Sequence, residues 1–289
     1  MGLFKTELFK TRPYRLGLTL SGGGAKCMAQ VGLLQYLQEQ AIEPDIISGA
    51  SAGAMVGALY SAGYSPEEIL EFFVSTRMFS LRNLSFNALG LIDSGKIAKH
   101  FQSYFPEDSF ESLNKPLYVV ATDLNRARQT VFNSGSLINA LVASSAYPGM
   151  FTPVKWQDTV YADGGIINNY PSDLINDQCR HHIGMYLAPM MSRPSEHFGN
   201  MFDVLDRVFQ IYSSARQFAN INLPDISLAP EGIEDCSAFM VKPDQLKSIY
   251  EMGYNCARKY FEGEGADWLK NMKGGTRKRT FWFKLPTPL

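Results

Sequence analysis

Ser21-Gly22-Gly23-Gly24-Ala25-Lys26 follows the apolar run Arg15-Leu16-Gly17-Leu18-Thr19-Leu20, and Gly49-Ala50-Ser51-Ala52-Gly53 follows Asp45-Ile46-Ile47-Ser48. Each stretch reads as a turn at the end of a buried strand, so main-chain amides and one serine hydroxyl meet at adjacent strand ends. A serine in G-x-S-x-G spacing fits a sharp strand-to-helix turn, because its hydroxyl stands clear of the chain only when Gly49 and Gly53 add no bulk beside it. The glycine run offers N–H groups aimed into open space. These are the parts of an acyl-transfer site, with Ser51 as nucleophile and loop amides as oxyanion donors. Removal of one such donor typically costs about 10²–10³ in turnover.

Outward from these turns the chain alternates strand and helix. The helix after the glycines is expected over about Ala25 to Gln40, and Ala52 to Ala62 continues from the serine turn. Ser65-Pro66-Glu67-Glu68 opens another helix, with Ser65 as N-cap and Glu68 at the capping-box position. Asp93-Ser94-Gly95 opens a helix to about Tyr104. Leu117 to Thr122 and Gln129 to Phe132 read as strands, Ser136 to Ser145 as a helix, and Val160-Tyr161-Ala162 as a strand running into Asp163-Gly164-Gly165. Ile183 to Leu187 is expected to be the next strand, with His181-His182 at its polar entrance. Phe198 to Ile221 is the longest helix, and its stripe of Phe202, Leu205, Phe209, Tyr212 and Ala219 is expected to face the core rather than a membrane. This order predicts an α/β fold of three layers, α/β/α, around a mainly parallel central sheet.

Composition narrows the function classes. The chain has 289 residues, 45% hydrophobic and 19% charged, which suits a globular protein with a sizeable core. Pro, Gly and Ser are scattered and no repeat is evident, so one domain is expected over 14–289, with residues 1–13 as an N-terminal extension. With 27 basic against 28 acidic residues there is no general footprint for nucleic acid. Lys273, Arg277, Lys278 and Arg279 before Phe281-Trp282-Phe283 form a basic, aromatic tail suited to anionic lipid, or a solvated turn and edge strand. Met1-Gly2-Leu3-Phe4-Lys5-Thr6 fits a loose acylation pattern at Gly2. Cys27, Cys179, Cys236 and Cys256 lie far apart without ligand spacing, so neither a metal nor another cofactor is expected. Reduced thiols and the absence of a signal-like apolar region point to the cytoplasm, with peripheral membrane contact through the tail.

Ser51 needs a base. Asp163 lies on a glycine-paired turn after a strand, while His181, His182 and His197 would reproduce the order Ser, Asp, His of a triad. Asp123, at another strand end, is the competing acid, and Asn125 beyond it reads as turn chemistry. The spacing argues against a nucleotide site: a Rossmann fingerprint from Gly22 would land on Cys27, and Lys26 is followed by Cys rather than the Ser or Thr of a P-loop.

From Leu16 to Leu174 the chain resembles the patatin-like phospholipases, particularly the bacterial cytoplasmic members. Gly22-Gly23-Gly24-Ala25-Lys26 is similar to their oxyanion loop, Gly49-Ala50-Ser51-Ala52-Gly53 to their nucleophile elbow, and Asp163-Gly164-Gly165 to their aspartate turn. Ala143-Ser144-Ser145-Ala146-Tyr147-Pro148-Gly149-Met150-Phe151 resembles the segment before that aspartate, and Lys247 to Phe261 the terminal helix of such domains. The resemblance implies a Ser51–Asp163 dyad without histidine, an oxyanion hole from the Gly22, Gly23, Gly24 and Ala25 loop, and a lipid or acyl-ester substrate. Lys26 would touch a head-group phosphate or cap its surroundings.

A carboxylate is a weak base for a hydroxyl, so Asp163 must be desolvated, a task that Tyr161 and Phe151 could serve. The family loop usually has a further glycine where Cys27 stands, and the thiol is expected to narrow the acyl pocket. A non-catalytic or regulatory lipid-binding protein on the same fold is the alternative reading. The chemistry of these residues suits phospholipid, lysophospholipid, neutral glyceride and thioester alike.

Overall fold

The computed structural model describes residues 12–79, 94–221, 223–239 and 241–273. Its strands are β1 Tyr14–Leu20, β2 Ile46–Ala50, β3 Leu117–Asp123, β4 Arg128–Phe132, β5 Val154–Trp156, β6 Thr159–Asp163, β7 Cys179–Met185 and β8 Ile226–Leu228. The helices are α1 Met28–Glu39, α2 Ala52–Ala62, α3 Pro66–Thr76, α4 Ser94–Gln102, α5 Leu137–Ser144, α6 Gly165–Asn168, α7 Met201–Ile221, α8 Pro243–Glu262 and α9 Ala266–Lys273.

β1 pairs in parallel with β2 and β7, β2 with β3, and β7 with β8. Parallel neighbours need crossover helices, which the alternating order supplies. The result is an α/β architecture in which a mixed sheet carries helices on both sides. β4 and β6 add antiparallel to β3, and β5 to β6. β1 and β2 are buried without alternation, as strands covered on both faces must be.

One face of β1 presents Leu16, Leu18 and Leu20 to the main core, with Ile47, Ile183 and Met185. The other face carries a buried polar chain: Ser48 Oγ lies 2.8 Å from Thr19 Oγ1, which lies 2.8 Å from His182 Nε2, and His182 Nδ1 is 3.2 Å from Asn176 Oδ1. α8 docks on α1 through the stacked rings of Tyr36 and Phe261 and a 2.7 Å hydrogen bond from Tyr254 to Glu39. α9 returns to β1, where the Arg15 guanidinium donates to the Met272 carbonyl.

The α3 capping box forms as predicted, with Ser65 Oγ accepting from the Glu68 amide at 3.2 Å and Glu68 accepting from the Ser65 amide at 2.8 Å. Three expectations change. A 3-10 turn over Gly24–Cys27 precedes α1, because Gly24 is left-handed and the Ala25 amide is drawn to the Ala238 carbonyl at 2.7 Å. β7 starts at Cys179, so His181 and His182 lie inside the strand, opposite Leu16 and Gly17. In the predicted core stripe of α7, Leu205 and Tyr212 are exposed. Gly2 and the basic aromatic tail beyond Lys273 lie outside the described residues.

Candidate active site

The sheet register brings two distant segments together. On one edge of β3, Ala50 at the end of β2 pairs with Val120, and Asp163 at the end of β6 pairs with Ala121. β4 spans both of those β3 positions, from Val119 to Asp123, and therefore occupies the other edge. β2 and β6 thus run head-on along a single edge of β3, and the residue leaving β2 meets the residue ending β6. Ser51 Oγ donates to Asp163 Oδ2 at 2.6 Å.

Ser51 holds φ 52° and ψ −130°, a conformation that costs a side-chain-bearing residue on the order of 1–3 kcal/mol and marks a strained turn. The strain has a local cause. A Cβ at Gly53 would sit 2.4 Å from the Ser21 carbonyl oxygen, so α2 starts hard against the end of β1 and the elbow must turn sharply. Ser51 is the N-cap of α2, yet its hydroxyl makes no capping bond and is committed to Asp163. The positive end of α2 then favours negative charge at this point.

Asp163 is 1% exposed. Burial pushes its carboxyl up to about 7, against the opposing effects of the Ser51 hydroxyl and of the Gly165 amide, which donates to Oδ1 at 2.7 Å. Its main chain is clamped by the Thr122 hydroxyl on its carbonyl at 2.8 Å and by the Ala146 carbonyl on its amide at 3.0 Å. Asp123, the competing acid, is held instead by Arg126 at 3.1 Å and Arg128 at 3.7 Å.

The two turns open onto a cleft of about 270 Å³ lined by Gly22, Gly23, Gly24, Lys26, Ser51 and Asp163. Tyr147, Phe209 and Phe239 form its aromatic wall, with Tyr147 centred 4.5 Å from Phe209 and 5.3 Å from Phe239. Phe151 reaches this wall through Phe239, whereas Tyr161 packs on Phe132 and Trp156 instead.

The loop amides divide into two pairs. The Gly22 amide donates to the Asn169 carbonyl at 3.0 Å and the Ala25 amide to Ala238, so neither is available to an oxyanion. Gly23 and Gly24 remain, whose amides have no acceptor among the described residues. Gly24 has φ 56°, and a Cβ there would stand 2.3 Å from the Ala238 carbonyl oxygen. Only glycine fits. Lys26 lines the cleft with Nζ 3.4 Å from the Glu234 carbonyl.

No described histidine lines the cleft. His182 is buried in its polar chain and pushed down to about 4 by desolvation, and His181 faces Asp225 at 3.8 Å. Cys27 corrects another expectation: it is fully buried in the core, away from the cleft, and burial holds its thiol well above the usual range. Among the described residues no group of three or more His, Cys, Asp or Glu is arranged to hold a metal ion.

With this geometry in view, the sequence profile described as patatin-like phospholipase matches residues 18–174, from β1 past the Asp163 turn. The chain belongs to the patatin-like phospholipase family. The chain is 32% identical over 159 residues to an uncharacterized NTE family protein of Mycobacterium tuberculosis, covering 54% of this chain and 44% of that one. Similarity to the neuropathy target esterase sws of Drosophila melanogaster is 26% over 223 residues, 73% of this chain and 15% of that one. The chain therefore spans less than half the length of these curated relatives. Among solved structures, VipD from Legionella pneumophila superposes with a TM-score of 0.48 at 15% identity, covering 86% of this chain and 67% of that one.

Two residues of this patatin-like site were not singled out by sequence reasoning. Ser144, at the end of α5, accepts the Ser51 amide hydrogen on Oγ at 2.8 Å, and its carbonyl accepts from Gly164 at 3.0 Å. Gln30 on α1 donates to the Ser21 carbonyl at 2.8 Å and braces the start of the glycine loop. Ser144 sits in the quoted segment before the aspartate, but only its position against β2 reveals the bond. Gln30 gives a sequence-level signal as a polar residue in an apolar helix that turns out fully buried.

Proposed function

We propose that this protein is a serine acyl hydrolase of lipid carboxylic esters, of phospholipase A or lysophospholipase type, working through a Ser51–Asp163 dyad. The observation that carries the reading is the 2.6 Å hydrogen bond from Ser51 to a buried carboxylate raised to about 7, in the wall of a cleft without a described histidine. Such a carboxylate is matched to proton transfer near neutral pH.

Asp163 takes the Ser51 proton as Oγ attacks the ester carbonyl carbon. The resulting oxyanion accepts N–H groups from Gly23 and Gly24, and the α2 N-terminus adds its dipole. Protonated Asp163 then gives its proton to the departing alcohol as the carbon–oxygen bond breaks, leaving Ser51 acylated. Water enters, Asp163 removes its proton, and the hydroxide oxygen attacks the acyl carbon. Ser51 leaves with the proton returned from Asp163, and the fatty acid departs. The aromatic wall of Tyr147, Phe209 and Phe239 suits an acyl chain, and Lys26 contacts the polar head group. No metal enters these steps, so chelation is expected to leave the rate on a soluble ester unchanged.

Hydrolysis of a short p-nitrophenyl ester should be abolished in Ser51→Ala and in Asp163→Asn, and retained when His181 and His197 are both replaced by Gln. A fluorophosphonate should label the wild type on Ser51. Absence of both turnover and labelling in folded protein would instead favour a non-catalytic lipid-binding role.

A further inference from the structure

Helix α7 leaves one apolar face exposed. Met201, Val204, Leu205, Val208, Ile211 and Tyr212 are between 41% and 71% exposed. Their spacing of three and four residues places them on one face, an uncharged strip about 16 Å long at the usual helical rise. Met190, Met191 and Phe198, in the segment leading into α7, are exposed as well. Single exposed apolar side chains need no explanation, but a contiguous strip of this extent marks an interaction surface.

The strip is continuous with the active-site cleft. Phe209, Gln210 and Ser213, on an adjoining side of the same helix, line the cleft, and Met191 is both exposed and part of the cleft wall. Arg193 and Arg207 lie in the cleft lining beside this strip, and Arg207 donates to the Met191 carbonyl at 2.5 Å. An apolar strip with Arg207 on the same helix and Arg193 in the adjoining cleft lining, where Glu234 and Asp235 also stand, matches the cross-section of a phospholipid layer, acyl region first and phosphates beside it. A folded protein partner seated on Met191 and α7 would cover the entrance. A lipid layer would instead present its esters there.

We propose that α7 lies along the surface of a phospholipid bilayer, with its apolar strip in the interfacial region, and that lipid esters pass from the bilayer into the cleft past Met191. This rests on the reading of Ser51 and Asp163 as a hydrolase and names the surface that would present its substrate.

The binding arm uses Ser51→Ala protein, so that no turnover disturbs the vesicles, in flotation with phosphatidylcholine vesicles with and without phosphatidylserine. Adding Leu205→Gln, Val208→Gln and Ile211→Gln should lower vesicle partition by about tenfold or more. The same three substitutions in the Ser51 protein should leave hydrolysis of a soluble short-chain ester unchanged and lower hydrolysis of vesicle phospholipid in parallel with binding. A Val208→Trp variant, which keeps the face apolar, should shift its fluorescence to the blue when vesicles are added. Equal partition of the parent and triple variant overturns the proposal. So does self-association of the parent that the triple variant abolishes, which would make the strip a contact between copies. If the wild type fails on the soluble ester, the hydrolase reading falls, while flotation of the Ser51→Ala protein still reports on the surface.

Discussion

Ser144 Oγ accepts the amide hydrogen of Ser51 at 2.8 Å, while the Ser51 hydroxyl donates to Asp163. Because the Ser144 carbonyl also accepts from Gly164, the end of α5 holds the strained Ser51 turn and the aspartate turn in one frame. Ser144→Ala leaves a Ser51 amide without its acceptor, a loss of about 1–3 kcal/mol in a buried setting. The expected result is a fall in kcat of about tenfold to a hundredfold with KM little changed, since the bond orients Oγ rather than touching substrate. Ser144→Thr, which keeps the hydroxyl, should retain more activity than Ser144→Ala. Equal kcat in Ser144→Ala and wild type would show that the elbow is held without this bond.

If Asp163 is the base of the proposed dyad, its raised carboxyl should set the pH dependence of hydrolysis. As a base it must be ionised in the free enzyme, so kcat/KM on a soluble ester should rise with pH through about 7 and then level. A profile flat from pH 5 to 8, at constant folded fraction, would mean that Asp163 is ionised throughout and that its burial does not tune it.

The same shift has a consequence for stability, opposite in sign to that of a salt-bridged carboxylate. Between its ordinary value of 3.8 and about 7, Asp163 binds more proton in the folded state than in the unfolded one, so its contribution to stability declines as pH rises through that window. His182, pushed down to about 4 from 6.5, acts the other way and is destabilising as pH falls. Asp163→Asn should therefore be more stable than wild type at pH 8, by about 1–4 kcal/mol, with the gap closing toward pH 4. Urea titrations at both pH values measure it, and a gap that widens toward acid would contradict the assignment.

Cys27 packs in the core. It should resist alkylation in the folded protein, because its buried thiol is held neutral. Cys27→Ala should cost about 1 kcal/mol of stability and leave the acyl-chain preference unaltered. Widened chain-length preference in Cys27→Ala would place the thiol against the substrate after all.

Gly24→Ala tests the oxyanion loop. Its Cβ would press on the Ala238 carbonyl and its φ would be strained, so the Gly23 and Gly24 amides should be displaced and kcat should fall by about 10² or more. Fluorophosphonate labelling of Ser51 should slow with it. Unchanged turnover would move the oxyanion donors elsewhere.

The local chemistry of the site is legible in the chain because it depends on short-range rules. Gly49, Ser51 and Gly53 announce the elbow, Ser65 and Glu68 announce α3, and Asp163 with its two glycines announces the second turn. Each follows from backbone sterics or from a hydrogen bond between residues a few positions apart. The short strands β5 and β8 left no such mark, since three residues carry too little periodicity to read. Their existence depends on partners far along the chain.

The sequence by itself determined that a serine would stand on a sharp turn, that a glycine loop would lie beside it, and that the strands would be covered by helices. Only the tertiary structure decided which acid meets that serine and which amides stay unpaired. Asp163 reaches Ser51 because β2 and β6 share one edge of β3, and Ala25 is lost as a donor because the loop carrying Ala238 arrives over it. It also decided that Cys27 and His182 are interior residues and that one apolar face of α7 is left uncovered by the described fold. Turns are governed by the few atoms around each residue, whereas strand register and the remaining hydrogen-bond partners are settled by packing across the whole sheet.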